Sequence, residues 1–269
     1  MSPFIWGLLA GLALAAGLGA LLARALFRRV LRLQRRAKQA ERLAELGTLT
    51  GGLAHEIKNP LSTVQLNLQL LQEDLASQSL GHPRLVNRLD VAQRETSRLR
   101  DILDDFLRYA GRMELDRRPT DLGQLLEELA DFFAPQAQLS RVRLRLKPTD
   151  DKVMARVDAR LIKQAVLNLM LNATQAMDAH GGGDLILSVT RDPDCAVIDV
   201  VDTGPGIAPD VAERIFDAYF TMRKGGIGLG LATTRRIAEE HGGSVTVRSE
   251  PGKGSDFALR LPVADALAA

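Results

Sequence analysis

The sequence predicts three parts in order: an N-terminal transmembrane helix, an all-α helical hairpin that forms a dimeric four-helix bundle, and an α+β sandwich. Three observations carry this prediction. Residues 1–23 contain no charged side chain. Residues 43–110 place apolar side chains at three-four spacing, in two runs separated by a polar break. From residue 114 onward, alternating apolar stretches are interspersed with helical periodicity, the layout of a sheet covered by helices.

The uncharged run MSPFIWGLLAGLALAAGLGALLA is long enough to cross a bilayer as a helix, and the predicted span is residues 1–26. Arg24, Arg28, Arg29, Arg32, Arg35, Arg36 and Lys38 follow before the first acid, Glu41. Positive charge resists translocation, so the N-terminus is expected outside and the remainder in the cytoplasm. Residues 27–44 then form a basic juxtamembrane helical linker facing anionic lipid. Ala23-Arg24-Ala25 also offers the small-x-small site of a signal peptide. The run lacks a basic leader, however, and its positive charge follows the apolar stretch, the wrong order for export. Gly7 with Gly11, and Ala15 with Gly19, make small-xxx-small pairs that allow close helix pairing. The single cysteine, Cys195, excludes an internal disulfide. The net charge of +2 would be negative without the basic run, so no nucleic-acid partner is expected.

The hairpin is predicted over residues 45–113. A long helix from Arg28 to Leu75 carries Leu43, Leu46, Thr50, Leu53, Ile57, Val64, Leu68 and Leu71 along one side. A polar stretch from Ser77 to Pro83 breaks it with Gly81 and Pro83. The second helix has the cleaner seam: Leu85, Leu89, Ala92, Thr96, Leu99, Leu103, Phe106 and Ala110. One such hairpin exposes too much apolar seam to stand alone. Two copies closing a four-helix bundle remove it from water, which predicts a homodimer.

Residues 114–265 are predicted to form the sandwich, with 266–269 as a tail. Helices fit Asp121–Phe133, Arg160–Met177 and Leu229–Glu240. Strands fit 142–146, 153–157, Leu185–Val189, Ala196–Val201, Ser244–Arg248 and Asp256–Leu261.

Chemistry concentrates in a few segments. In LAHEIKNPL, residues 53–61, a proline stands five places after a histidine inside a helical pattern. Proline there removes a backbone hydrogen bond and costs about 3 kcal/mol or more, which predicts a kink just past His55. At about 100° per residue, His55 lies roughly opposite Leu53 and Ile57, facing solvent. Glu56 can accept one ring proton and leave the other nitrogen free as a nucleophile. Asn59 shares that face, one turn on. In the sandwich, Asp202-Thr-Gly-Pro-Gly-Ile207 ends a hydrophobic strand and Gly225-Gly-Ile-Gly-Leu-Gly230 opens a helix. A glycine turn at a helix N-terminus presents N–H groups to an anion. No G-x-x-x-x-G-K-[ST] loop occurs, which excludes P-loop chemistry. Asn168 and Asn172 lie one turn apart in LNLMLNATQAM, either as packing amides or as metal and phosphate contacts.

Together these segments resemble the sensor histidine kinases. HEIKNPL is similar to the family's H-box, LNLMLNA to its N-box, DTGPGI to its first glycine box, IFDAYF to its F-box, and GIGLGL and GKGSDF to its later glycine boxes. The order matches across residues 43–263, nearest to the nitrogen-regulation subgroup. The resemblance implies a dimerisation and phosphotransfer hairpin followed by a Bergerat-type ATP-binding domain. It implies His55 as phosphoacceptor, Glu56 as general base, and Asn59 as positioner of water for dephosphorylating a partner. It further implies Asn172 as Mg²⁺ ligand with Asn168 near the phosphates, and Asp202 as acceptor from the adenine amino group. Gly204 and Gly206 would shape that pocket. Arg223, Gly226, Gly228, Gly230 and Ser255 would complete the nucleotide site. The implied cofactors are ATP and Mg²⁺, and the implied partner is the receiver domain of a response regulator, served from the inner membrane.

The chain departs from the family pattern at Ala218, where proline is usual, at Met222 and Ile227, where threonine is, and at Arg223, where lysine is. These changes bear on lid geometry and rate. Two rival readings share the fold: another ATPase of the same superfamily, and a non-catalytic or phosphatase-biased membrane scaffold. The first gives no reason for HEIKNPL on a dimerising helix. The second is opposed by the intact set of His55, Glu56, Asn172 and Asp202.

Overall fold

The computed structural model describes residues 53, 57–73, 82–111, 113–149, 152–222 and 228–263. Helix α1 (57–73) and helix α2 (His82–Ala110) make up the hairpin region. The sandwich follows as β1 (Arg118–Asp121), α3 (Leu122–Leu139), β2 (Val142–Leu146), β3 (Met154–Val157), α4 (Ala159–Asp178), β4 (Gly183–Arg191), β5 (Cys195–Asp202), α5 (Pro209–Ala212), α6 (Gly230–Glu240), β6 (Ser244–Glu250) and β7 (Gly254–Pro262). The candidate transmembrane span, the juxtamembrane linker and the tail lie outside the described residues. Among the described residues, no helix is long and apolar enough to cross a membrane.

Local chemistry fixes the helix starts. Asp121 Oδ1 accepts from the backbone N–H of Gly123 (3.0 Å) and of Gln124 (3.5 Å), which opens α3. Asp158 Oδ1 does the same for Arg160 (3.1 Å) and Leu161 (3.3 Å), which opens α4. Each carboxylate satisfies donors that a helix end leaves orphaned and suits the positive end of the helix dipole. Helix α2 starts at His82, so Pro83 lies in its first turn instead of ending the break. A missing N–H is harmless there, because first-turn amides have no intrahelical partner.

In α1 the chain stays helical through Pro60, whose side chain is buried. The two hydroxyls that follow it donate back one turn, Ser62 Oγ to the carbonyl of Lys58 (2.8 Å) and Thr63 Oγ1 to that of Asn59 (3.2 Å). Such back-bonding competes with the backbone ladder and favours bending. His55 and Glu56, around which the kink is expected, lie outside the described residues.

The five-stranded sheet runs in the order β2-β4-β5-β7-β6, with β2 parallel to β4 and the remaining pairs antiparallel. A separate antiparallel pair, β1 with β3, was not foreseen for β1. Its sequence RPTD lacks apolar alternation, and Pro119 is acceptable because an edge strand need not donate from every residue. The core comprises apolar residues between Leu122 and Val263, drawn from α3, α4, α6 and the inward positions of the strands. Alternation is plain in β7, where Phe257, Leu259 and Leu261 are buried and the residues between them half-buried. Each fully buried Leu or Phe contributes about 1.5–3 kcal/mol.

Candidate functional site

The sheet's register sets one end of the site. Asp202 is the last residue of β5 and lies directly opposite Ser255 on β7. Its carboxylate accepts from the backbone N–H of Gly204 (2.8 Å) and gains further hydrogen bonds from Ser255. Asp202 is buried, and that burial pushes its carboxyl above the ordinary range, with the Gly204 and Ser255 bonds opposing. Desolvation outweighs the hydrogen bonds here. Behind it, Ser249 Oγ donates to the carbonyl of Gly254 (2.8 Å), accepts from the N–H of Ile207 (2.8 Å) and lies 3.0 Å from Ser255 Oγ. This network ties the turn after β5 to the β6–β7 hairpin. Ser249 is a polar residue on β6 with no motif around it, and nothing in its spacing marks it for the site.

Gly206 has φ +70, and a Cβ there would stand 2.0 Å from the carbonyl of Glu250. Only glycine allows the chain to pass so close. The second glycine run behaves similarly at Gly228, where φ is +72 and a Cβ would stand 2.6 Å from the carbonyl of Phe220. Tyr219 donates its N–H to the carbonyl of Gly228 (3.1 Å), which pins together residues on either side of 223–227. Phe216 packs edge-on against Phe257, 6.4 Å between centroids, and so anchors the IFDAYF segment to the core.

Helix α6 opens at Gly230 with no side-chain cap at Leu229. The residue before it therefore supplies no side-chain acceptor to the first-turn amides, an arrangement that favours an anion. Asn168 Nδ2 donates to the carbonyl of Gly230 (3.0 Å), so this amide holds the glycine turn against α4. Thr234 Oγ1 donates to the same carbonyl (3.0 Å).

A cavity of about 470 Å³ brings these parts together. Asn168, Asn172, Asp202, Gly206, Gly228, Gly230 and Ser255 all line it. Gly204 stands behind, as a donor to Asp202. The volume is ordinary for a small-molecule site. Asn59 is on α1, exposed, and is not among the lining residues. His55, Glu56, Arg223 and Gly226 lie outside the described residues. Asp105 and Arg108 of α2 also line the cavity, which the sequence did not reveal.

A nucleotide fits these residues: a buried carboxylate with hydrogen-bonding neighbours at one end, and an uncapped helix start beside two amides at the other. Magnesium fits as well, since that ion is held by one or two protein oxygens plus substrate phosphates and water. Among the described residues there is no cluster of His, Cys, Asp or Glu to form a closed metal cage.

Two family models match the chain. The His Kinase A (phospho-acceptor) domain covers residues 45–112, and the histidine kinase-, DNA gyrase B- and HSP90-like ATPase covers residues 157–265. The sensor histidine kinase ZraS of Escherichia coli (strain K12) is 36% identical over 243 residues, which is 88% of this chain and 50% of that protein. The chain thus spans about half the length of the curated relatives it matches. Full-length ShkA, solved in complex with AMPPNP, aligns with TM-score 0.57 at 28% identity, over 78% of this chain and 44% of that one. Histidine kinase ThkA, solved in complex with response regulator protein TrrA, shares the fold with TM-score 0.71 at 24% identity, over 86% of this chain and 66% of that one.

Proposed function

The chain belongs to the sensor histidine kinases of two-component systems, and from that premise we propose that it is an ATP-dependent protein-histidine kinase. The terminal phosphoryl group of ATP passes to His55 and then to an aspartate on a response regulator. One observation carries the reading: Asn168, Asn172, Asp202 and the Gly228–Gly230 turn converge on a single cavity, downstream in the chain of the motif HEIKNPL.

Asp202 accepts from the adenine amino group, because a buried carboxylate offers acceptors and no donor. Ser255 and Gly204 hold that carboxylate in place, and Gly206 lets the pocket floor pass close to the base. Gly228 and Gly230 bring backbone amides to the phosphates, and Gly226 and Arg223 are assigned to the same phosphates by the family motif. Asn168 fixes the turn through the Gly230 carbonyl. Asn172 would hold Mg²⁺, and the ion would supply charge neutralisation at the phosphates. Glu56 takes the ring proton as His55 attacks. For this chemistry the protein supplies mainly positioning and charge. Asn59, on the exposed side of α1, positions water for removal of the phosphoryl group from the regulator.

Residues 45–113 form the dimerisation and phosphotransfer hairpin, and 114–265 the catalytic domain. Leu68, Leu89 and Leu103, all predicted seam residues, stand exposed in the single chain, which supports a second copy covering them. Residues 1–26 anchor the chain in the inner membrane, with the catalytic part cytoplasmic. The test is incubation of the purified chain with γ-labelled ATP and Mg²⁺, then with candidate receiver domains. Acid-labile, base-stable label that moves to a receiver aspartate is the expected outcome. ATP turnover without protein label would leave a superfamily ATPase of another kind.

A further inference from the structure

A triphosphate is strongly anionic, and the cavity that receives it must supply positive charge. Among the described lining residues only Asp105, Arg108 and Asp202 are charged, and Arg108 is the sole cation. It comes from α2 of the hairpin, far in sequence from the nucleotide motifs.

Its placement follows from how α2 is anchored. Ile102, fully buried, and Tyr109, 7% exposed, are the buried residues of its last two turns. At the helix end, Arg236 of α6 donates to the carbonyl of Gly111 (2.7 Å), and its guanidinium lies 5.8 Å from the centre of the Tyr109 ring. Helix α6 is the element whose first turn borders the cavity at Gly230. A helix docked by Ile102 and Tyr109 turns Asp105 onto the same stripe, three residues from one and four from the other. Arg108, three residues on from Asp105, extends from the exposed edge of that stripe. The guanidinium suits phosphate oxygens, with several donors in a planar fork and weak hydration.

Asp105 stands beside it. Burial pushes the Asp105 carboxyl above its ordinary range, Arg108 opposes that shift, and the charges of Asp101 and Asp104 reinforce it. With Arg108 near, Asp105 engages the guanidinium electrostatically; with a triphosphate in the cavity, the same acid repels the ligand.

We propose that the last two turns of α2 form a charged wall of the nucleotide cavity, in which Arg108 binds the phosphate chain and Asp105 competes for Arg108 and weakens that binding. This rests on the nucleotide reading given above and adds to it two specificity residues supplied by the hairpin. Nucleotide occupancy then acts directly on α2, a helix of the proposed phosphotransfer hairpin. Bound phosphates pull Arg108 from Asp105, and loss of the terminal phosphoryl group to His55, which leaves the diphosphate, returns part of it.

The experiment is equilibrium binding of Mg-ATP, Mg-ADP and adenosine to the full chain in detergent, comparing wild type with Arg108→Gln, Arg108→Lys and Asp105→Asn. Arg108→Gln weakens ATP binding by about 5-fold, the scale of one exposed ion pair, affects ADP less and leaves adenosine unchanged. Arg108→Lys retains part of the affinity, and the gap between wild type and Arg108→Gln shrinks as salt rises. Asp105→Asn tightens ATP binding and not adenosine. Unchanged ATP affinity in Arg108→Gln would overturn the proposal, as would equal losses for ATP and adenosine, which would signal a packing defect. A wild-type chain that binds neither ATP nor adenosine would instead bring down the nucleotide reading, and this inference with it.

Discussion

The hairpin and the sandwich handle apolar surface in opposite ways. The sandwich closes its core within one chain, from Leu122 to Val263. Of the described hairpin residues, Pro60, Ala92, Ile102 and Tyr109 are buried, while Leu61, Leu66, Leu68, Val86, Leu89, Leu103 and Leu107 stand exposed. A two-helix unit has one internal seam, and its other apolar stripe needs a second chain. The difference separates two kinds of function. The cavity is lined mostly by the sandwich, with Asp105 and Arg108 added from α2, whereas the exposed stripe of the hairpin is proposed to be covered only on assembly.

Variants can break this comparison at either end. The largest effect is expected in the cavity. Asn172→Asp places a carboxylate where the proposed function puts a neutral oxygen beside metal and phosphate, and should slow His55 phosphorylation by about 100-fold or more, the scale for losing one positioned electrostatic contact. The measurement is the rate of label incorporation across a Mg²⁺ and Mn²⁺ series, and a normal rate with normal metal dependence would contradict the site. Asp202→Asn should weaken adenine binding about 10-fold or more, because a hydrogen bond to a charged acceptor is worth about 1.5–3 kcal/mol.

On the other side, Leu89→Glu combined with Leu103→Glu puts charges where the second copy should pack. Each buried charge costs several kcal/mol, so the dimer should weaken by more than about 100-fold in sedimentation. Nucleotide binding by the sandwich should persist. Dimerisation unchanged by both charges would place the interface elsewhere.

A smaller effect belongs to α1. Asn59→Ala should slow dephosphorylation of the regulator about 10-fold, the loss of roughly 1.4 kcal/mol of transition-state stabilisation, while phosphorylation of His55 stays within a few-fold. Equal loss of both would make Asn59 a structural residue of the helix instead.

The smallest effect concerns stability of the sandwich. His241 is buried at the end of α6; its Nδ1 faces the carbonyl of Ile237 (2.7 Å) and its Nε2 accepts from the N–H of Asp158 (3.0 Å). The ring is therefore neutral and protonated on Nδ1. Burial lowers its pKa in the folded state, so the unfolded chain binds a proton more readily. Stability from this residue is full above the unfolded value of about 6.5 and is lost as pH falls from there through the folded pKa. A melting temperature that stays level across that window in wild type, matching His241→Asn, would contradict the assignment.

Much of the sandwich was legible because its signals are local. Helical periodicity in residues 121–133 and 160–177 announces α3 and α4, and alternation in 142–146 and 256–261 announces strands, with boundaries within two residues except at the end of α3, which runs six residues beyond Phe133 to Leu139. Elements β1 and α5 were missed, since four residues are too few to show a period. At the site, the motifs named Asp202 and Ser255, but only the sheet register shows why they act as a pair. Ser249, Asp105 and Arg108 reach the site through tertiary contact, for which no spacing along the chain prepares the reader. In the hairpin, the predicted seam residues Leu89 and Leu103 are exposed in the single chain, while Ile102, outside that seam, is fully buried. Heptad spacing identifies apolar stripes, and the choice of which stripe meets which helix is made in three dimensions.

The most direct test of a transfer from the cavity to the hairpin is a paired measurement on His55→Gln. Label incorporation from γ-labelled ATP and the equilibrium affinity for ATP would be read on the same preparation. The account predicts that acid-labile label vanishes while ATP affinity stays within about 2-fold of wild type, a difference under about 0.5 kcal/mol. Label that persists in His55→Gln, on His180 or any other side chain, would contradict it.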